Sequence, residues 1–138
     1  MLDTNEEVVR RFANEVLNKG DYSVMRELVH TDYVYRSPHQ ELHGPEALEG
    51  LLTAYRTGLP DMTTSIDELI VSGEKIAISI ALTGTHLGDL MGIPATGNQV
   101  NVRGMVISRL KDGKIIEEWE ILDVLGMFQQ LGVVSLRF

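Results

Sequence analysis

Apolar residues recur at helical spacing at the start of the chain, where Val8, Val9, Phe12, Ala13, Val16 and Leu17 share one face. Thr4 and Glu7 have the spacing of a capping box ahead of them, and Gly20 stops the run. Asp21 is placed to cap a second short helix, Tyr22 to Val29, with Met25, Leu28 and Val29 apolar. Tyr33 to Ser37 has strand composition, and Pro38 to Gly44 reads as a polar loop. Gly44-Pro45 opens a third helix with proline at its first position. Leu48, Leu51, Leu52 and Tyr55 give that helix an apolar face, and Gly58 and Pro60 end it.

From there the pattern turns to strands. Met62 to Val71 is followed by a tight turn at Ser72-Gly73-Glu74-Lys75, and Ile76 to His86 is long and rich in β-branched residues. Gly88 to Gly97 is a loop. Gln99 to Leu110 and Ile115 to Leu122 pair as a hairpin around Asp112-Gly113, a strong two-residue turn signal. Val124 to Leu131 closes the pattern as a short helix. Helices first and antiparallel strands after predict an α+β fold, with helices covering one face of a curved sheet and a conical cavity between them.

Alternation along the strands nominates the side chains that face that cavity. On the last strand Glu117, Trp119, Ile121 and Asp123 share a face, as do Ile116, Glu118, Glu120 and Leu122 on the other. The Trp119 face carries the bulkier apolar set and is expected to be concave, with the two glutamates toward solvent or a subunit boundary. On the preceding strand Arg103, Met105, Ile107 and Arg109 lie together, and a bulge near Gly104 would invert that choice. On the long strand Ile78, Ile80, Leu82, Gly84 and His86 share a face, which puts His86 at the cavity mouth.

Composition narrows the function. The 138 residues fit one domain spanning 1–138, and 43% hydrophobic residues suffice for a core. A net charge of −8 argues against nucleic acid or an anionic membrane as partner. There is no cysteine, hence no disulfide, thiolate nucleophile or cysteine-based metal site, in keeping with a cytoplasmic location. Residues 1–7 are acidic without an apolar run, so no secretory signal is expected, and no apolar run is long enough to span a bilayer. His39, Glu41 and His43 lie in a loop without a zinc pattern, so no metal is expected.

Each candidate residue has two readings. Asp123, at the end of the last strand, is either a partly desolvated general base or the N-cap of the terminal helix. His86 either bonds a substrate oxygen and shuttles a proton, or faces solvent at a strand end. Arg103 steadies an enolate or pairs with Glu117. Trp119 packs the core or stacks on an aromatic ligand. Tyr35, His39, Met105 and Ile121 are further candidate contacts for a ligand, and Met91 with Ile93 forms an apolar lip. No nucleophile elbow, phosphate loop or dinucleotide fingerprint is present.

The stretch Thr83-Gly84-Thr85-His86-Leu87-Gly88 through Gly92-Ile93-Pro94-Ala95-Thr96-Gly97 resembles one found in SnoaL-like polyketide cyclases. Val102-Arg103-Gly104 with Asp112-Gly113-Lys114-Ile115 resembles that family's next hairpin. Glu117-Glu118-Trp119, Asp123, Leu125-Gly126 and Gln129-Gln130-Leu131-Gly132 resemble its C-terminal signature. The resemblance implies an NTF2-like cone-shaped barrel, a homodimer, and cofactor-free intramolecular aldol condensation of a small hydrophobic or aromatic carbonyl compound. It assigns the acid/base role to Asp123. Glu118 departs from it, since many members have histidine directly before the tryptophan. A non-catalytic binding protein, or another isomerase or hydrolase, is the alternative on the same fold.

Overall fold

The computed structural model describes residues 4–135. Helix α1 (Asn5–Arg11) begins at Thr4, whose hydroxyl accepts the Glu7 amide. It runs directly into a π-helical turn (Phe12–Leu17), in which the Asn18 amide reaches back five residues to the Ala13 carbonyl. Asn18 then ties this end to the sheet, its side chain accepting from the Thr64 amide at 2.7 Å and donating to the Thr64 carbonyl at 3.0 Å. Helix α2 (Tyr22–Leu28) is capped by Asp21, which accepts from the Ser23 and Val24 amides. Strand β1 (Val29–Arg36), the short β2 (Glu41–His43) and helix α3 (Pro45–Gly58) follow. The polar loop expected at 38–44 thus contains a strand, because Glu41–His43 pairs back on Val34–Arg36.

Strands β3 (Thr63–Ser72), β4 (Lys75–Thr85), β5 (Gln99–Lys111) and β6 (Lys114–Leu122), then helix α4 (Val124–Gln130), complete the chain. The sheet order is β2-β1-β6-β5-β4-β3, antiparallel throughout except where β1 runs parallel to β6. Asp112 and Gly113 both have positive φ, 55° and 73°, as the primed hairpin turn requires. The α+β architecture with a mostly antiparallel sheet packed on the N-terminal helices is as expected. No helix among the described residues is long and apolar enough to cross a membrane.

Two apolar clusters hold the layers together. One joins Val8, Phe12 and Val16 to Met25, Tyr33, Leu48, Ile76 and Leu110. The other packs Leu59, Leu90, Val100, Met127 and Leu131 at the opposite end.

The register of β5 and β6 decides what faces the helices. In β5 the even positions are buried, from Val100 through Val106 and Ser108 to Leu110. The hairpin pairs Leu110 with Ile115, but Arg109 pairs with Glu117, so Ile116 is an extra residue in β6. This bulge flips the alternation beyond it. Ser108 stands opposite Glu118, Val106 opposite Glu120 and Gly104 opposite Leu122, all on the helix-covered face. The expectation that Trp119, Ile121 and Met105 face a concave interior is therefore corrected. They lie on the outer face, with Met105 68%, Ile121 66% and Trp119 51% exposed.

Candidate active site

An enclosed cavity lies between the sheet and the helices. Val9 of α1, Phe12, Ala13 and Leu17 of the π turn, and Leu48, Leu51, Leu52 and Tyr55 of α3 form one wall. The sheet supplies Tyr35, Thr64, Ile78, Ile80, Leu82, Val106, Ser108, Ile115, Glu118, Glu120 and Leu122. Its solvent-sized space is about 90 Å³. Ligand pockets commonly run to roughly 300–1,000 Å³, so this space is smaller than a polycyclic ligand needs.

The polar groups of this cavity form one stripe on an otherwise apolar surface. Glu118 is buried, with Oε1 accepting from the Tyr33 hydroxyl at 2.6 Å and Oε2 at 3.3 Å from Ser108 Oγ. Glu120, two residues on and partly buried, accepts from the Tyr35 hydroxyl at 2.5 Å. Burial pushes the Glu118 carboxyl up to about 7; the negative charge of Glu120 adds to this, and the Tyr33 and Ser108 hydroxyls oppose it. Burial raises Glu120 as well, against the Tyr35 hydrogen bond. Tyr33 and Tyr35 are both raised well above the ordinary phenol range by burial and by the neighbouring glutamates, so they remain hydrogen-bond donors. Burial pushes Tyr55 up to about 12, with Glu120 adding to it. No Lys, Arg or His lines this cavity among the described residues. Such a site can hold a neutral ligand, take a proton onto a carboxylate and give one from a carboxylic acid.

The residues nominated from the sequence separate into three places. Tyr35 alone lies in the cavity wall. Arg103, Met105, Ile121, Asp123 and His39 do come together, but around an open hollow beside α4 whose lining also includes Ile80, Gly104 and Leu122. There Asp123 is exposed and caps α4, its Oδ1 accepting the Gly126 amide at 2.8 Å. This geometry is that of a helix cap. Arg103 pairs with Asp67 of β3 rather than with Glu117. Glu117 instead bonds Arg36 at 2.7 Å, and the Arg36 guanidinium sits 5.5 Å from the centre of the Trp119 ring. The expectation that Trp119 packs the core is corrected: it is a half-exposed ring beneath Arg36.

His86 is fully buried, at neither a cavity mouth nor a solvent-facing strand end. Its Nδ1 accepts the Thr96 amide at 3.2 Å and lies 2.9 Å from Thr96 Oγ1, and Nε2 lies 3.2 Å from the Ile93 carbonyl. This pins both ends of the 86–97 loop. The Nδ1 lone pair is used by the amide, so Nε2 carries the hydrogen donated to Ile93. Met91 is exposed at the tip of that loop with φ 51°. Leu90, not Met91, turns inward, packed against Gly58.

Glu118 and Glu120 are the cavity carboxyls that side-chain bulk places on the wrong side. A signal for them exists: Ile78, Ile80 and Leu82 of β4 share a face, and their partners across the ladder are Val106, Gly104 and Val102. Following that pairing, rather than side-chain bulk, leads to the even face of β5. Only the bulge at Ile116 carries it on to Glu118 and Glu120.

An α+β fold with an apolar cavity and two carboxyl groups in its wall makes this a candidate small-molecule site. The chain belongs to the SnoaL-like polyketide cyclase family, whose model matches residues 7–131. It is 30% identical to aklanonic acid methyl ester cyclase DnrD of Streptomyces peucetius over 136 residues, 95% of this chain and 92% of that one. It is 27% identical over 119 residues to the nogalonic acid methyl ester cyclase of Streptomyces nogalater, 83% of this chain and 88% of that one. Among solved structures it is similar to IdmH of Streptomyces antibioticus, with a TM-score of 0.83, 29% identity, and 95% of this chain and 100% of that one covered.

Proposed function

We propose that this protein is a cofactor-free cyclase that closes a ring in a neutral, esterified polycarbonyl compound by intramolecular aldol condensation. Glu120 is the acid/base group. The observation that carries the reading is a largely apolar cavity with two carboxyl groups in its wall, without a lysine, arginine or histidine among its described lining residues. An apolar wall favours an uncharged aromatic substrate, and the lack of a cation there disfavours a free acid. Two relatives are named as cyclases of methyl esters, which fits that preference.

Glu120 takes the proton from a carbon flanked by carbonyls, and the enolate carbon then attacks a ketone within the same molecule. Tyr55, held protonated and lining the same cavity, donates to the enolate oxygen. Tyr35 both contributes to the substrate wall and holds the Glu120 carboxylate in place. The reaction is followed by chromatography with mass detection on an aromatic polycarbonyl methyl ester. The expected product has the substrate's mass, or that mass less one water. Asp123→Asn is expected to leave turnover unchanged, since asparagine also caps a helix well. A loss of turnover in that variant would return the acid/base role to Asp123.

The outer face supports a homodimer. Met105 and Ile107 stand opposite Ile121 and Trp119 on adjacent strands, four exposed apolar side chains in one strip. The Arg103–Asp67 and Arg36–Glu117 pairs flank it, opposite charges on one surface that a two-fold copy can meet in reverse order. A monomer rarely leaves such a strip in water. Ile121→Glu is expected to yield a monomer in sedimentation, with its fold intact. A wild-type protein that sediments as a monomer at micromolar concentration would remove the dimer. The absence of cysteine supports a cytoplasmic location for the reaction.

A further inference from the structure

Ring closure needs a base at the start and an acid at the end. The carbon that loses a proton becomes the nucleophile, and the ketone oxygen that receives the electron pair must be protonated. A single carboxyl would have to do both in turn. This cavity has two. Glu118 and Glu120 point from the same face of β6 into the same enclosed space, with about 6.6 Å of strand between them. The two are held differently. Glu120 has Tyr35 as its partner and keeps a partial opening. Glu118 is buried between Tyr33 on β1 and Ser108 on β5.

We propose that Glu118 is a second catalytic carboxyl, the acid that protonates the new alkoxide, and that at rest it shares a single proton with the base Glu120. The inference rests on the cyclase reading above. The balance is closed. Glu120 takes the C–H proton, the enolate carbon forms the C–C bond, and the ketone π pair moves onto oxygen. The Glu118 hydroxyl gives its proton to that oxygen. One proton passing from Glu120 to Glu118 resets the pair, with none gained or lost overall.

The surroundings suit this division. The titratable groups facing the pair are Tyr33 and Tyr35 from β1 and Tyr55 from α3; α1 and the π turn present only apolar side chains to it. With no cation in the wall, two negative charges so close are unfavourable, and one negative charge with one proton is the preferred state. The Tyr33 hydroxyl and Ser108 Oγ sit at opposite oxygens of Glu118. Tyr33 therefore donates to one oxygen while Ser108 can accept from the protonated other. Burial brings the Glu118 carboxyl up to about 7, so its acid form persists into the neutral range. A merely structural Glu118 would be replaced by glutamine without kinetic effect, because glutamine offers the same oxygen to Tyr33.

The test combines an activity measurement with one that needs no substrate. In the ligand-free protein, carboxyl-carbon NMR titration should find Glu118 with a midpoint near neutrality that drops in Glu120→Gln, as the neighbouring charge is removed. A Glu118 midpoint below pH 5, or one unmoved by Glu120→Gln, overturns the shared proton. With the polycarbonyl ester, Glu118→Gln is expected to lower kcat by about 100-fold at unchanged KM. It should also abolish the fall in kcat expected of the wild type above about pH 7. Wild-type kcat and pH profile in Glu118→Gln overturn the proposal while leaving the cyclase standing if Glu120→Gln is inactive. Should the wild type close no ring, the cyclase reading fails and the proposed catalytic role of Glu118 falls with it, whatever the titration finds.

Discussion

Replacing Glu120 with glutamine is expected to cut ring closure by roughly 10²–10⁴-fold while leaving the fold in place. Glutamine keeps the size of the side chain and an oxygen for the Tyr35 hydroxyl, so the β1–β6 contact at that point survives. It cannot accept a proton from carbon. The reacting geometry, the apolar walls and the Tyr55 hydroxyl remain, so the loss should fall on kcat rather than on KM. Circular dichroism and the urea midpoint check that the variant is folded, and mass-detected turnover measures the effect. Unchanged turnover would exclude Glu120 as the base.

The second large effect is on stability. Glu118 has a folded-state pKa of about 7 against an ordinary value of 4.5. The folded protein therefore holds a proton that the unfolded chain has already released between these two values. The contribution of protonated Glu118 is fully present below about pH 4.5 and is lost as pH rises through about 7. Each pH unit of that gap counts for about 1.4 kcal/mol, so about 3 kcal/mol is lost across it. The raised Glu120 acts in the same direction. Asp21, Glu41 and Asp61 are lowered by hydrogen bonds, so their contributions are lost only at lower pH. Urea unfolding of wild type and Glu118→Gln from pH 5 to 8 separates the Glu118 share. The difference between the curves should grow in favour of the variant as pH rises. A constant difference would mean that Glu118 is charged in the folded protein throughout.

Most of the fold was legible in the pattern of residues. The caps at Thr4 and Asp21, the proline opening α3 and the Asp112-Gly113 turn are local signals, and each element they bound is where the pattern put it. The Tyr33–Tyr35 strand proved longer, and β2 was hidden in a polar loop, because three residues carry too little alternation to be seen. The site was less legible. Tyr35 was nominated and lies in the cavity, whereas Asp123 and Arg103 were nominated and line the open hollow beside α4. His86 reads as a chemical group in sequence, yet its neighbours Ile93 and Thr96 use both ring nitrogens to hold a loop.

What the residues determined alone is most of the elements, their order and the chemistry available: many carboxylates, no cysteine and one tryptophan. What only the tertiary structure decided is which carboxylates are enclosed. Strand side chains alternate with a period of two, so one inserted residue reverses every side chain after it. Ile116 is that residue, set by the pairing of β6 with β5. It turned Trp119 and Ile121 outward, turned Glu118 and Glu120 onto the cavity, and left Asp123 as the cap of the final helix.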